Sequence, residues 1–246
     1  MFSPGHFIWL GICAALIVGL MVAAKYLKLD FKKALTVALG ISFASEICKI
    51  FTHIDDVFNG DGELVGGVLG ANYLPLHLCS IVIFLLVYLY LTKNDARREA
   101  VKSFITPITI LGGTMALLIP TSGVDFLQPY AYQAFLYHAG IMWFSIYLIA
   151  TKQVNLGFKV YKRNLAVMGG LVVVMLWVNS ALQVYDTNFF FIVKPPMENL
   201  PILNVNNGWI VYFLTLVAIG FTLVSLFHLP FMIMERQAAK KSDPNN

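Results

Sequence analysis

Seven apolar stretches of close to 20 residues recur along this chain, near 6–24, 34–52, 73–92, 101–120, 131–150, 164–183 and 209–229. An α-helix rises about 1.5 Å per residue, so about 20 residues cross the roughly 30 Å hydrocarbon core of a bilayer. Lipid offers the backbone no hydrogen-bond partner, and a helix supplies all of its own. The pattern therefore predicts an all-α polytopic membrane bundle of seven transmembrane helices. Charged residues make up only 12% of the 246, against the roughly 25% usual for soluble domains. The connections are too short for a folded soluble domain, so 1–246 reads as one membrane domain with a disordered tail at 240–246.

The charges are sorted between alternate connections. Lys25, Lys28, Lys32 and Lys33 lie between the first two stretches, and Lys93, Arg97, Arg98 and Lys102 between the third and fourth. Lys152, Lys159, Lys162 and Arg163 follow the fifth, and Arg236, Lys240 and Lys241 follow the last. Those are fifteen of the seventeen basic residues, leaving only Lys49 and Lys194. The positive-inside rule puts this side in the cytoplasm, with the N-terminus outside and the C-terminus cytoplasmic. The opposite connections carry Asp55, Asp56, Asp61, Glu63, Asp125, Asp186 and Glu198, so nucleic acid is not an expected partner. No Lys or Arg precedes the first apolar run, which reads as a retained helix rather than a signal peptide.

Ionisable groups are costly in a membrane and usually face a bundle interior or a wet cavity. Cys79 lies six residues past 73, His138 seven past 131 and Glu46 six before 52, placing all three about 9–10 Å inside the outer surface. Pro75 is read as a first helical residue, which puts Cys79 in an N-terminal field that favours thiolate. In a regular helix His77 and Cys79 point to nearly opposite sides, so His138, from another helix, is the better base for the thiol. The bland reading of a lone membrane Cys is packing, and that of a lone His is a bond between helices. Cys13 and Cys48 are assigned to packing.

Glu46, Lys49 and His53, spaced three and four apart, form a polar stripe that binds a head group or neutralises itself. Asn179 and Gln183 extend this layer or join helices. Lys194 meets a lipid phosphate or serves as an interfacial cation. Two outer connections, 53–72 and 184–207, are long, and Phe189–Val193 is expected to lie at the interface or over a cavity mouth.

Leu74-Pro75-Leu76-His77-Leu78-Cys79, then His138, then Thr187-Asn188-Phe189-Phe190-Phe191 with Lys194-Pro195, resembles the YwaF and transmembrane protein 164 family of integral membrane proteins. Relatives typically have Asn-Tyr where this chain has Asn188-Phe189, which removes any role for a hydroxyl there. The resemblance implies a membrane acyltransferase that moves a fatty acyl chain between glycerophospholipid and lysophospholipid. Cys79 would carry the acyl group and His138 would be its base, with His77, Glu46, Lys49, Asn179, Asn188 and Lys194 binding substrate or supporting the pair. Membrane phospholipids and lysophospholipids are the implied partners, no cofactor is expected, and the short loops point to a bacterial plasma membrane with the site toward the outer leaflet. A lipid hydrolase using the same pair, or a transporter with a polar pathway through Glu46, Lys49 and His53, remain alternatives. A metal site from His77, His138 and Glu46 has no supporting local spacing.

The orientation is open to direct test. In intact cells an impermeant thiol reagent is expected to label a single cysteine placed at 61 and not one placed at 95; the reverse result would overturn the topology.

Overall fold

The computed structural model describes residues 2–121, 123–197, 200 and 202–242. Seven α-helices follow one another among these residues: α1 (Pro4–Tyr26), α2 (Phe31–Thr52), α3 (Leu78–Leu91), α4 (Asp95–Leu118), α5 (Pro129–Ala150), α6 (Phe158–Ala181) and α7 (Trp209–Ser242). Six of them are long and apolar enough to cross a membrane. Starts are set by local chemistry: the side chains of Ser3, Asp30 and Asn94 cap α1, α2 and α4, and Pro4 and Pro129 sit in the first turns of α1 and α5.

α3 departs from the expected span. It has 14 residues, about 21 Å of helix, and begins at Leu78 rather than near Pro75. The residue before a proline is pushed to extended backbone, and Leu74 is extended at ψ 145°. His77 is extended too, at ψ 151°, and serves as the N-cap without a side-chain bond. A single 3-10 turn at Ala71–Tyr73 and a tight turn from Leu76 N–H to Leu74 O, 2.7 Å, fill the approach.

The Gly- and Asp-rich connection after α2 is not an irregular loop. It folds as an antiparallel hairpin, β1 (Ile54–Phe58) with β2 (Leu64–Leu69), pairing Ile54 with Leu69 and Phe58 with Leu64 across one bulge. At the other end of the chain α7 runs on past the last apolar stretch. Lys240 and Lys241 therefore lie in its final turn, and 243–246 fall outside the described residues.

α5 is the central helix, packed against α4, α2 and α1. Close approach is built on glycine: a Cβ on Gly113 of α4 would meet Met142 at 2.5 Å, and one on Gly140 of α5 would meet Ile41 of α2 at 2.7 Å. Small residues at such crossings are how helices gain contact in lipid, where the hydrophobic effect does not hold them together. Trp143, Phe144, Ile105 and Leu86 fill the core on one side of α5, while Trp9, Phe135 and Leu117 fill it on the other.

Pro107 lies inside α4 and has no N–H, so the carbonyl of Ser103 loses its helical donor. Asn164 of α6 replaces it, with Nδ2 donating to Ser103 O at 2.7 Å. The second Nδ2 hydrogen faces His228 Nε2 of α7 at 3.3 Å, and His228 Nδ1 donates to Leu156 O at 2.8 Å. One amide and one imidazole thus fasten α4, α6, α7 and the α5–α6 connection. Neither side chain figured among the residues singled out from sequence. Asn164→Ala is expected to cost about 1–3 kcal/mol of stability by stranding a buried carbonyl. In Pro107→Ala, which restores an N–H to α4, the same substitution should cost measurably less; equal losses of thermal stability in both backgrounds would contradict the coupling.

Candidate functional site

Cys79 is the second residue of α3, a free thiol half-buried at the helix start. The three amides of Leu78, Cys79 and Ser80 open the helix, and the first bond back to the cap is Ile81 N–H to His77 O at 2.9 Å. The thiol is packed with Ile83, Tyr137 and Ile141. Gly112 of α4 faces it: a Cβ there would stand 3.7 Å from the sulfur, at ordinary contact distance.

Tyr137 of α5 donates its hydroxyl to Cys79 O at 2.6 Å, tying the start of α3 to the central helix. Both the Cys79 thiol and the Glu46 carboxylate lie within electrostatic range of this hydroxyl. The next residue, His138, sits edge-on to Tyr137, with ring centroids 5.3 Å apart. Its Nδ1 lies 2.6 Å from Ala134 O, a pure acceptor, so Nδ1 carries the proton and Nε2 keeps its lone pair. Among the described residues no hydrogen bond joins His138 to Cys79. The two share the Gly112–Gly113 step of α4, where Gly112 faces the sulfur and a Cβ on Gly113 would lie 3.5 Å from His138 O.

His77 faces elsewhere. Its ring packs against Phe189 and Phe191 at 5.3 and 5.5 Å, with Lys49 in electrostatic range. On α2, Lys49 Nζ and Glu46 Oε1 form an ion pair at 2.6 Å, with the two side chains 12% and 21% exposed. His53 caps the end of α2 by a 3.0 Å bond to Lys49 O, and its ring meets Tyr73 at 3.9 Å. The stripe read from sequence is therefore continuous, but its members are bonded to one another.

Asn179, Asn188 and Lys194 build a cover. Asn188 Oδ1 accepts from Val193 N–H at 3.0 Å and Lys194 N–H at 3.2 Å, while its Nδ2 donates to Lys194 O at 2.8 Å. Lys194 Nζ closes the loop on Asp186 at 2.6 Å. Asn179 clasps Phe189 from below, accepting from its N–H at 2.8 Å and donating to its carbonyl at 3.1 Å. Trp209 and Tyr212 of α7 donate to the carbonyls of Ile192 and Phe191. These bonds hold Phe190 and Phe191 at φ 60° and 54°, a region that bulky side chains rarely adopt.

Three residues here were not anticipated. Asn72 ties the approach to α3 to the cover, accepting from Asn188 N–H at 3.1 Å and donating to Asp186 O at 3.2 Å. Gln133 of α5 donates to Ser45 of α2 at 2.6 Å. Tyr137 is the third. Its signal was legible: a tyrosine placed mid-span must find an acceptor for its hydroxyl.

The model of the TMEM164 family matches residues 1–228, nearly the full chain, so the chain belongs to that family of membrane proteins. No curated protein and no solved structure matches it.

Asn188→Ala removes three bonds from the cover, whereas Lys194→Ala removes an exposed ion pair worth about 0–1 kcal/mol. Limited proteolysis between 186 and 197 is expected to quicken about tenfold or more in the first variant and little in the second. Equal rates would show that the amide does not hold the loop.

Proposed function

We propose that this member of the TMEM164 family is a membrane-embedded acyltransferase that moves a fatty acyl chain between glycerophospholipid and lysophospholipid through a thioester on Cys79. The observation that most supports the reading is the setting of Cys79: a free thiol at the start of a shortened helix, flanked by the Leu78 and Ser80 amides and beside α5, where His138 Nε2 has no hydrogen-bond partner among the described residues.

The chemistry runs in two balanced halves. The Cys79 thiol gives its proton to His138 Nε2 as the sulfur attacks the ester carbonyl of a phospholipid. The amides opening α3 are the donors available to the developing oxyanion. Collapse breaks the C–O bond, His138 returns the proton to the departing lysolipid oxygen, and the acyl group stays on sulfur. A second lysolipid then gives its hydroxyl proton to His138 and attacks the thioester, and the released sulfur recovers the proton. Burial below the interface keeps water from the thioester and favours transfer over hydrolysis.

Glu46, Lys49, His77 and the cover that Asn179, Asn188 and Lys194 build supply the surroundings in which a head group would be held. The site lies toward the outer leaflet of a bacterial plasma membrane in this reading, because the basic residues gather on the opposite side.

Purified protein in vesicles with labelled phosphatidylcholine and unlabelled lysophospholipid tests the reading. Cys79→Ala is expected to abolish transfer and His138→Ala to lower it about 10²–10⁴-fold, with the double variant no worse than Cys79→Ala. Full transfer by Cys79→Ala would refute the nucleophile. Free fatty acid accumulating in the presence of acceptor would make the protein a hydrolase instead.

A further inference from the structure

The hairpin beside this site has two unlike edges. No residue of β1 or of β2 is buried, and among the described residues no backbone hydrogen bond joins β2 to anything but β1. β1 carries Asp55 and Asp56, and the connection between the strands carries Asp61 and Glu63. β2 reads Leu64-Val65-Gly66-Gly67-Val68-Leu69, without a charge, and Leu64, Val65 and Val68 are 60%, 60% and 54% exposed. An isolated two-stranded hairpin is marginal in water, and an uncharged, unpaired edge is a template for another strand.

We propose that β2 is a self-association edge, through which two copies of this chain form a two-fold dimer with a continuous four-stranded sheet in the order β1-β2-β2-β1. Charge selects the edge. Pairing through β1 centred on Asp55 or on Asp56 would set that acid within about 5 Å of its own equivalent in the second copy, which is destabilising. Pairing through β2 leaves the two β1 strands three spacings apart, about 14 Å, beyond the roughly 8 Å screening length at physiological salt.

The sequence of β2 suits a copy of itself. A two-fold axis normal to an antiparallel sheet passes between a residue and its own equivalent, so the register centres on Gly66 or Gly67. Centred on Gly66, it sets Leu64 against Val68 of the second copy and Val65 against Gly67. Centred on Gly67, it sets Val65 against Leu69 and Gly66 against Val68. In both registers only Gly, Val and Leu face one another, and each half contributes aliphatic cross-strand pairs. A Cβ at Gly66 meets nothing within 4 Å, so a side chain can be introduced at the proposed axis without disturbing the hairpin.

Light scattering of the full chain in mild detergent and in lipid nanodiscs is expected to give a polypeptide mass twice the 27.4 kDa of one chain. Lysines at both Val65 and Val68 should halve that mass, while Val57→Lys on β1 should leave it unchanged. In case the lysine pair harms folding, oxidative cross-linking supplies a second reading. Gly66→Cys should give a disulfide dimer well above the background from the native cysteines, and Asp55→Cys should not. A monomeric wild-type chain, a dimer that survives the two lysines in folded protein, or equal cross-linking from both strands would overturn the proposal. Co-purification of a different polypeptide on a single copy of this chain would overturn it too.

Discussion

Inside a bilayer a backbone carbonyl that loses its helical donor has no water to turn to, and this constraint organises the packing of the whole molecule. Pro107 creates such a carbonyl at Ser103, and Asn164 answers it. The carbonyl of Leu117, in the last turn of α4, is taken by His6 of α1 at 2.7 Å. Tyr147 donates to Leu29 O at 2.8 Å and Tyr137 to Cys79 O at 2.6 Å. In each case a long polar side chain from one helix ends on the backbone of another element. Such bonds fix which helices are neighbours, where interdigitating apolar side chains alone would tolerate sliding. They also explain why His6 and His228, both fully buried, need no catalytic role.

The same rule bears on the irregular approach to α3. Non-helical backbone is tolerated at membrane depth only where protein covers it. Cover is supplied by the 186–194 loop, whose internal bonds run through Asn188, and by Asn72, which links loop and approach. His77 lies between them, its ring against Phe189 and Phe191. A short α3 and an elaborate loop are therefore one feature: the loop replaces the turn of helix that the sequence from Leu74 to His77 does not form.

Much of this arrangement is legible in the sequence, and the remainder is illegible for definite reasons. Helix number and sequence limits follow from runs such as Ile105–Leu118, because a span must be long, apolar and nearly free of charge. The start of α3 at Leu78 is not legible, because Pro75 suits a first helical turn and an extended turn equally and its neighbours decide between them. The hairpin is hidden in the sequence because Gly66 and Gly67 erase the alternation that marks a strand. Cys79, His138 and Glu46 were matched in depth, but their bearings around each helix are set by packing. Depth alone left Tyr137 out, and it is the side chain that bonds to Cys79.

Tyr137 also shows how the setting of the thiol and the stability of the bundle are coupled. Its hydroxyl holds the first turn of α3 from α5, the helix at the centre of the packing. Gly112 and Gly113, adjacent on α4, carry α3 on one side and α5 on the other. A shift of α3 along α4 would therefore move the sulfur against the α4 surface and break the Tyr137 bond together. The start of α3 is therefore held by a polar bond from α5 to the Cys79 carbonyl, while Gly112 of α4 faces the sulfur, so the place of the thiol depends on the packing of both helices.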